Sequence, residues 1–178
     1  MCLIVRAEDA YRYSETPMFV KALALAAGPA KGATDPAYDF TSFPEVVRSA
    51  RDAYAQAGIS DVRMEISMAE VHDCFTPTEL VLMEDLGFAD RGQGWKDVLA
   101  GDFDRSGRLP VNPDGGLKSF GHPVGASGLR MLYECWLQFR GLAGPRQLDN
   151  PRTALTHNLG GRPGSCVSFV SIVGRERG

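Results

Sequence analysis

Gly115-Gly116-Leu117-Lys118-Ser119-Phe120-Gly121-His122-Pro123-Val124-Gly125-Ala126-Ser127-Gly128 carries five glycines in fourteen residues. Its order and spacing match neither a Walker loop nor a dinucleotide-binding fingerprint. The physical reading is a tight loop that lets backbone and an imidazole approach a ligand, followed by a helix whose small first turn permits close packing. That helix runs over about residues 126–140. Leu129, Leu132, Tyr133, Trp136 and Leu137 form its buried stripe and Gly141 stops it.

The rest of the chain alternates strands and helices around this loop. Downstream, Thr153 to Leu159 and Ser165 to Val173 read as the two strands of a terminal hairpin, turned by Gly160 to Gly164. The last strand is apolar on both faces, which places it centrally in its sheet. Upstream, Met64, Ile66 and Met68 alternate with Glu65, Ser67 and Ala69 as a strand would. A helix follows to about Leu86, with Thr76 as N-cap, Pro77 at the first helical position, Glu79 closing a capping box and Gly87 as terminator. Trp95 to Ala100 reads as a short helix. Residues 44–57 form another, with Ser42 and Glu45 at capping-box spacing, Val46, Ala50, Ala53 and Ala57 on one face, and Gly58 past its end. Phe19 to Ala27 is a strand, residues 28–42 are loop, and Cys2-Leu3-Ile4-Val5 opens as if in mid-strand, like a start cut from something longer. The expected class is α/β with a mixed sheet, one domain over residues 1–178.

The three histidines all fall at the end of an apolar segment beside a turn: His72, His122 and His157. In α/β folds the loops beyond strand ends hold ligands. Cys74 lies two residues after His72, just before a helix whose positive end favours a thiolate. Beside an imidazole such a thiol serves as a nucleophile or a carbon-acid base, or else is an inert buried residue. Cys2, Cys135 and Cys166 read as core. Asp102-Phe103-Asp104-Arg105-Ser106-Gly107 starts like a calcium loop, but its twelfth position is Pro113 and helix flanks are missing. No Cys/His spacing fits zinc.

Composition narrows the partners. The 178 residues hold 19 basic and 22 acidic side chains, a net charge of -3, so there is no basic excess to neutralise a nucleic acid backbone. No apolar run approaches the roughly 18 residues of a membrane span. The N-terminus lacks the basic region and the apolar length of a signal peptide, which makes the cytoplasm the expected compartment and reduced thiols the expected state of the four cysteines.

Together these segments resemble the C-terminal half of the thiolase superfamily. Gly121-His122-Pro123-Val124-Gly125-Ala126-Ser127-Gly128, preceded by Gly115-Gly116, is similar to its GHPxGxSG signature. His72-Asp73-Cys74-Phe75 resembles the HDCF motif of the sterol-carrier-protein type, where ordinary thiolases carry Asn-Glu-Ala-Phe. Asn158-Leu159-Gly160-Gly161 resembles the final catalytic loop, ordinarily Cys-x-Gly, with Asn158 in the cysteine position. In the sterol-carrier type the second catalytic cysteine comes from HDCF, so the two departures agree. The resemblance covers nearly the whole chain.

The resemblance implies a lobe with a mixed five-stranded sheet covered by helices and ending in a β-hairpin. It implies Claisen condensation of acyl-CoA units, or thiolytic cleavage of 3-ketoacyl-CoA. Coenzyme A thioesters would be substrates and no cofactor would be bound. His122 would activate the acyl-accepting nucleophile and help bind the thioester oxygen. Cys74 would move the proton at the substrate Cα, and His72 would contribute to a second oxyanion site. Gly121, Gly125, Ser127, Asn158, Gly160 and Gly161 would line the acyl-CoA pocket. The acyl-accepting cysteine of the family lies in an N-terminal lobe that has no counterpart here. The expected partner is therefore that lobe, from the same gene or a separate chain, within a homo-oligomer or hetero-complex. Two other readings stay open: a thiolase-like retro-aldolase acting on steroid or branched acyl-CoA, and a non-catalytic acyl-CoA, lipid-binding or assembly module.

Overall fold

In the computed structural model, which describes residues 2–177, one mixed sheet carries the molecule. β1 (Phe19–Ala27), β2 (Met68–Glu70), β3 (Thr153–Gly160) and β4 (Val167–Gly174) lie in the order β1-β4-β3-β2. β4 is antiparallel to both β1 and β3, and β3 runs parallel to β2. The terminal hairpin and the central place of β4 are as expected. Four strands form among the described residues, not five. On the outer edge of β2 stands a single parallel bridge, Ala69 to Val111. Pro110 precedes Val111, Pro113 follows, and Asn112 between them takes φ +48°, so the chain turns away before a strand can extend.

The helices are α1 (Lys31–Thr34), α2 (Pro44–Ala57), α3 (Val62–Glu65), α4 (Thr76–Asp85), α5 (Gly94–Ala100), α6 (Gly116–Phe120) and α7 (Ser127–Phe139). Two of them, α1 and α6, interrupt segments read as loop. α2 packs across β1 and β4: its Val46, Ala50 and Ala53 are buried with Ala22, Ala24, Val170 and Ile172. A fully buried Val of this kind contributes roughly 1.5–3 kcal/mol. The expected capping box does not form. The N-cap is Phe43, whose N–H donates to Asp85 Oδ2 of α4 at 2.6 Å, while Ser42 Oγ donates to Asp85 Oδ1 at 2.8 Å. A tertiary carboxylate has replaced the local one, and Glu45 is buried instead. On α4 the N-cap is Phe75 rather than Thr76, and the Glu79 carboxylate accepts from Asn112 Nδ2 at 3.1 Å.

Three further expectations fail for identifiable reasons. Met64 and Ile66 are not strand: Asp61 caps the Arg63 amide and Glu65 accepts the Ser60 and Asp61 amides, which winds residues 62–65 into α3. Cys2 to Val5 pairs with no strand and Cys2 is exposed, since an apolar run without a partner edge has nothing to bond its backbone. The five residues read as the buried stripe of α7 are all exposed or half-buried, and Met131, Glu134, Cys135 and Gln138 face the interior instead. Buried Glu134 is held by Arg146 at 2.8 Å and by Gln138 Nε2 at 2.8 Å. Among the described residues no helix is long and apolar enough to cross a membrane.

Candidate active site

Three loops leave the sheet on the side of the parallel strands. The first begins where β2 ends, at Glu70, and carries His72, Asp73 and Cys74 into α4. His72 and Asp73 are buried and Cys74 is half-buried, directly before the Phe75 cap of α4. Asp73 stitches this loop to the glycine loop. Its Oδ1 accepts the Leu117 amide at 2.8 Å and its Oδ2 the Lys118 amide at 3.4 Å, at the start of α6. Gly116 makes this approach possible. It takes φ +60°, and a Cβ there would lie 2.4 Å from Asp73 Oδ2. Gly116→Ala is therefore expected to lose about 2 kcal/mol of stability through strain and displacement of the carboxylate. A melting temperature equal to wild type would show that the clamp is not built as described.

α6 ends at Gly121, φ +73°, and the chain swings out to His122. The His122 and His72 rings meet edge to face, centroids 4.8 Å apart and planes at 87°. His122 Nδ1 lies 2.7 Å from Ser127 Oγ, and that hydroxyl reaches the Pro123 carbonyl at 3.3 Å. Ser127 has one proton to give. When it goes to the carbonyl, His122 Nδ1–H donates to Ser127 and Nε2 keeps its lone pair. Ser127, expected in the pocket lining, is buried under the loop and orients the imidazole. Gly125 is exposed, and a Cβ there would meet nothing within 4 Å.

The third loop caps the hairpin. Asn158 projects beside the first turn of α7: a Cβ on Gly128 would sit 3.4 Å from Asn158 Nδ2. Gly160 and Gly161 are exposed beyond it. At the far end of the turn, burial pushes the Cys166 thiol up to about 11, with Glu45 and then Cys74 adding in the same direction.

His72 is held below the usual imidazole range, by burial first and by His122 second, with Asp73 opposing. It is neutral near pH 7, and its Nδ1 is buried with no partner. The site thus pairs a neutral, buried imidazole with an exposed one whose Nε2 is free, and the half-buried Cys74 follows His72 by two residues on the same loop. His157, expected at a strand end, is instead inside β3 and fully buried, its Nε2 3.2 Å from Ser168 Oγ. It takes no part in the loop cluster. Glu70, Asp114 and Arg130 belong to no recognisable motif, and Asp73 carries no assigned role in HDCF. Their signal was a charged residue inside an otherwise apolar or small-residue context, which marks burial with a partner.

This sheet and its three loop motifs place the chain in the thiolase-like class of α/β lobes. Residues 29–174 match the family model described as "Thiolase C-terminal domain-like", and the chain belongs to that family. An acetyl-CoA acetyltransferase of Methanothermobacter thermautotrophicus is 39% identical over 168 residues, 94% of this chain and 43% of that protein. Human sterol carrier protein 2 is 45% identical over 113 residues, 63% of this chain and 20% of that one. Among solved structures, the Ltp2-ChsH2(DUF35) aldolase superposes with a TM-score of 0.74 at 24% identity, over 92% of this chain and 41% of that one. The chain spans less than half the length of each of these relatives.

Proposed function

We propose that the chain is the C-terminal catalytic lobe of a thiolase-type acyl-CoA C-acyltransferase, and that it turns over only when joined to an N-terminal lobe bearing the nucleophilic cysteine. The observation that carries this reading is the edge-to-face pair of His72 and His122, with Nδ1 of His122 tied to Ser127 and Cys74 on the same loop as His72. In the condensing direction, His122 Nε2 takes the proton of the N-lobe thiol, which is acylated by one thioester as coenzyme A leaves. Cys74 as thiolate removes a proton from Cα of the second acyl-CoA. The enolate oxygen is held by imidazole N–H donors while its carbon attacks the acyl-enzyme carbonyl. The tetrahedral intermediate collapses, the N-lobe thiolate leaves, and a 3-ketoacyl-CoA carries the new C–C bond. Thiolysis is the reverse. His72, neutral and with an unpartnered ring nitrogen, supplies the donor to the second oxyanion.

The uncovered face of the sheet supports a missing lobe. Ala22, Ala24 and Ala26 of β1 point into the α2 side, so Leu23 and Leu25 point to the other. Leu25 stands opposite Phe169, and Phe169 opposite Asn158, in one row across β1, β4 and β3. α7 covers the Asn158 end of that row and stops. Leu25 is 64% exposed, Leu23 53%, and on α7 Leu129 and Tyr133 are 54% and 59% exposed. Exposed apolar residues gathered on one sheet face and on the helix beside it are the mark of an interface, and relatives more than twice as long have chain enough to cover it.

The test is acetoacetyl-CoA cleavage by the chain alone and by the chain with the N-terminal lobe of a relative or of its own genome. Activity is expected in the pair and absent from the chain alone. An inactive pair that nonetheless assembles would sink the acyltransferase reading. Supplying a 3-hydroxyacyl thioester in parallel separates a retro-aldolase, which would cleave that substrate instead. Tight acyl-CoA binding with neither turnover would indicate a binding module.

A further inference from the structure

We infer that Arg130 is a positioning residue for both histidines of the site, an inference that rests on the acyltransferase reading for its kinetic consequence. His72 and His122 come from separate loops, and one guanidinium braces the segments that carry them. Arg130 lies on α7, three residues after Ser127, which orients His122. Its Nη1 donates to Glu70 Oε2 at 3.1 Å, and Glu70 ends β2 two residues before His72. The same nitrogen donates to Asp114, whose Oδ1 accepts the Gly116 amide at 2.7 Å where α6 begins. The guanidinium also lies 5.4 Å from the centroid of Phe120, two residues before His122.

The brace is buried. The side chains of Glu70, Asp114 and Arg130 are 0%, 2% and 15% exposed. Burial pushes Glu70 well above the ordinary carboxylate range; Asp114 adds to this, Arg130 opposes it, and Glu134 contributes least among the neighbouring charges. Arg130 meets both Glu70 and Asp114, and its single charge compensates one of the two carboxyl groups. A buried ion pair gains little over apolar residues of the same volume, so stability alone does not account for the brace. Arg130 Nε and Nη2 and Glu70 Oε1 have no partners. The contact therefore runs through a single nitrogen, and side-chain length and direction decide whether it forms. Lysine would keep the charge but has no planar group to lie over Phe120.

The test reads geometry and chemistry separately. NMR titration of the imidazoles in the full chain, without any added lobe, follows His72, His122 and His157. In Arg130→Gln the His72 and His122 resonances are expected to move and their midpoints to shift by about half a unit or more. His157 bonds Ser168, does not touch Arg130 and feels the site only through His72, so its resonance is expected to move less than those of His72 and His122. In the assembled pair, Arg130→Gln is expected to lower kcat about tenfold or more with KM within about twofold, and Arg130→Lys to recover part of it. Wild-type titrations of both histidines in Arg130→Gln would overturn the inference, whatever the kinetics. Shifted histidines in the chain, beside an unmutated pair that shows no turnover, would uphold the brace and sink the acyltransferase reading. If Arg130→Gln fails to fold, Asp114→Asn decides. It keeps the shape at Gly116 and removes the countercharge, and unmoved histidines there would overturn the inference equally.

Discussion

Cys74→Ala in the assembled pair is expected to cut turnover about a thousandfold while leaving the acylation half-reaction intact, whereas His122→Ala loses both. The asymmetry follows from what each group touches. His122 presents a free Nε2 because Nδ1 is tied to Ser127, so under the proposed mechanism it can take a proton from the thiol of the N-terminal lobe. Cys74 is half-buried on the loop with His72 and has no part in that first proton transfer. In the proposed mechanism it acts when Cα must lose or gain a proton. Incubation with acetyl-CoA and intact mass measurement of the N-terminal lobe separates the steps. The acetyl adduct should accumulate with Cys74→Ala and be missing with His122→Ala. Cys166 cannot stand in for Cys74, because burial pushes its thiol up to about 11 and leaves it protonated near neutral pH. Turnover of Cys74→Ala at the wild-type rate, or equal acylation in the two variants, would remove Cys74 from the chemistry.

The elements that could be read from sequence are those whose signals are local. α2 begins at Pro44 and ends against Gly58 at φ +70°, as its punctuation requires. β1 and the hairpin follow from runs of Ala, Val, Leu and Ile between glycines. What could not be read was set by distant partners. Asp85 reaches Phe43 across 42 positions and removes the need for a local cap. Asp73 reaches Leu117 across 44 and joins two motifs that look independent on paper. The misread face of α7 is the most informative case. The rule that apolar residues point inward assumes that the chain supplies its own core. Here Glu134 and Gln138 turn inward because Arg146 and the Leu148 amide satisfy them, and Leu129 and Tyr133 are left facing out. The motif residues His72, Cys74, His122 and Asn158 were legible by type. Their contacts, and the burial that keeps His72 neutral, required the fold.

Acid should destabilise the chain through His157. The ring is fully buried in β3, Nε2 meets Ser168 Oγ at 3.2 Å and Nδ1 has no partner. Burial first, and then the His72 charge, hold it down to about 3 from an ordinary 6.5. Above pH 6.5 the ring is neutral in both folded and unfolded chains and its contribution to stability is complete. Between pH 6.5 and 3 the unfolded chain binds a proton that the folded chain refuses, so stability falls as pH falls. The loss is on the order of 4 kcal/mol by the time pH reaches the folded value. His72 is lowered too and works in the same direction, whereas Glu70, raised by burial, keeps its proton in the folded state and works in the opposite one. Both terms are shared by wild type and His157→Gln, whose amide can still reach Ser168. Urea midpoints at pH 7, 5 and 4 should therefore fall more steeply for wild type, and the difference between the two proteins isolates the buried imidazole. Parallel pH dependences would mean that His157 takes up its proton in the folded state, in conflict with a sealed β3 position.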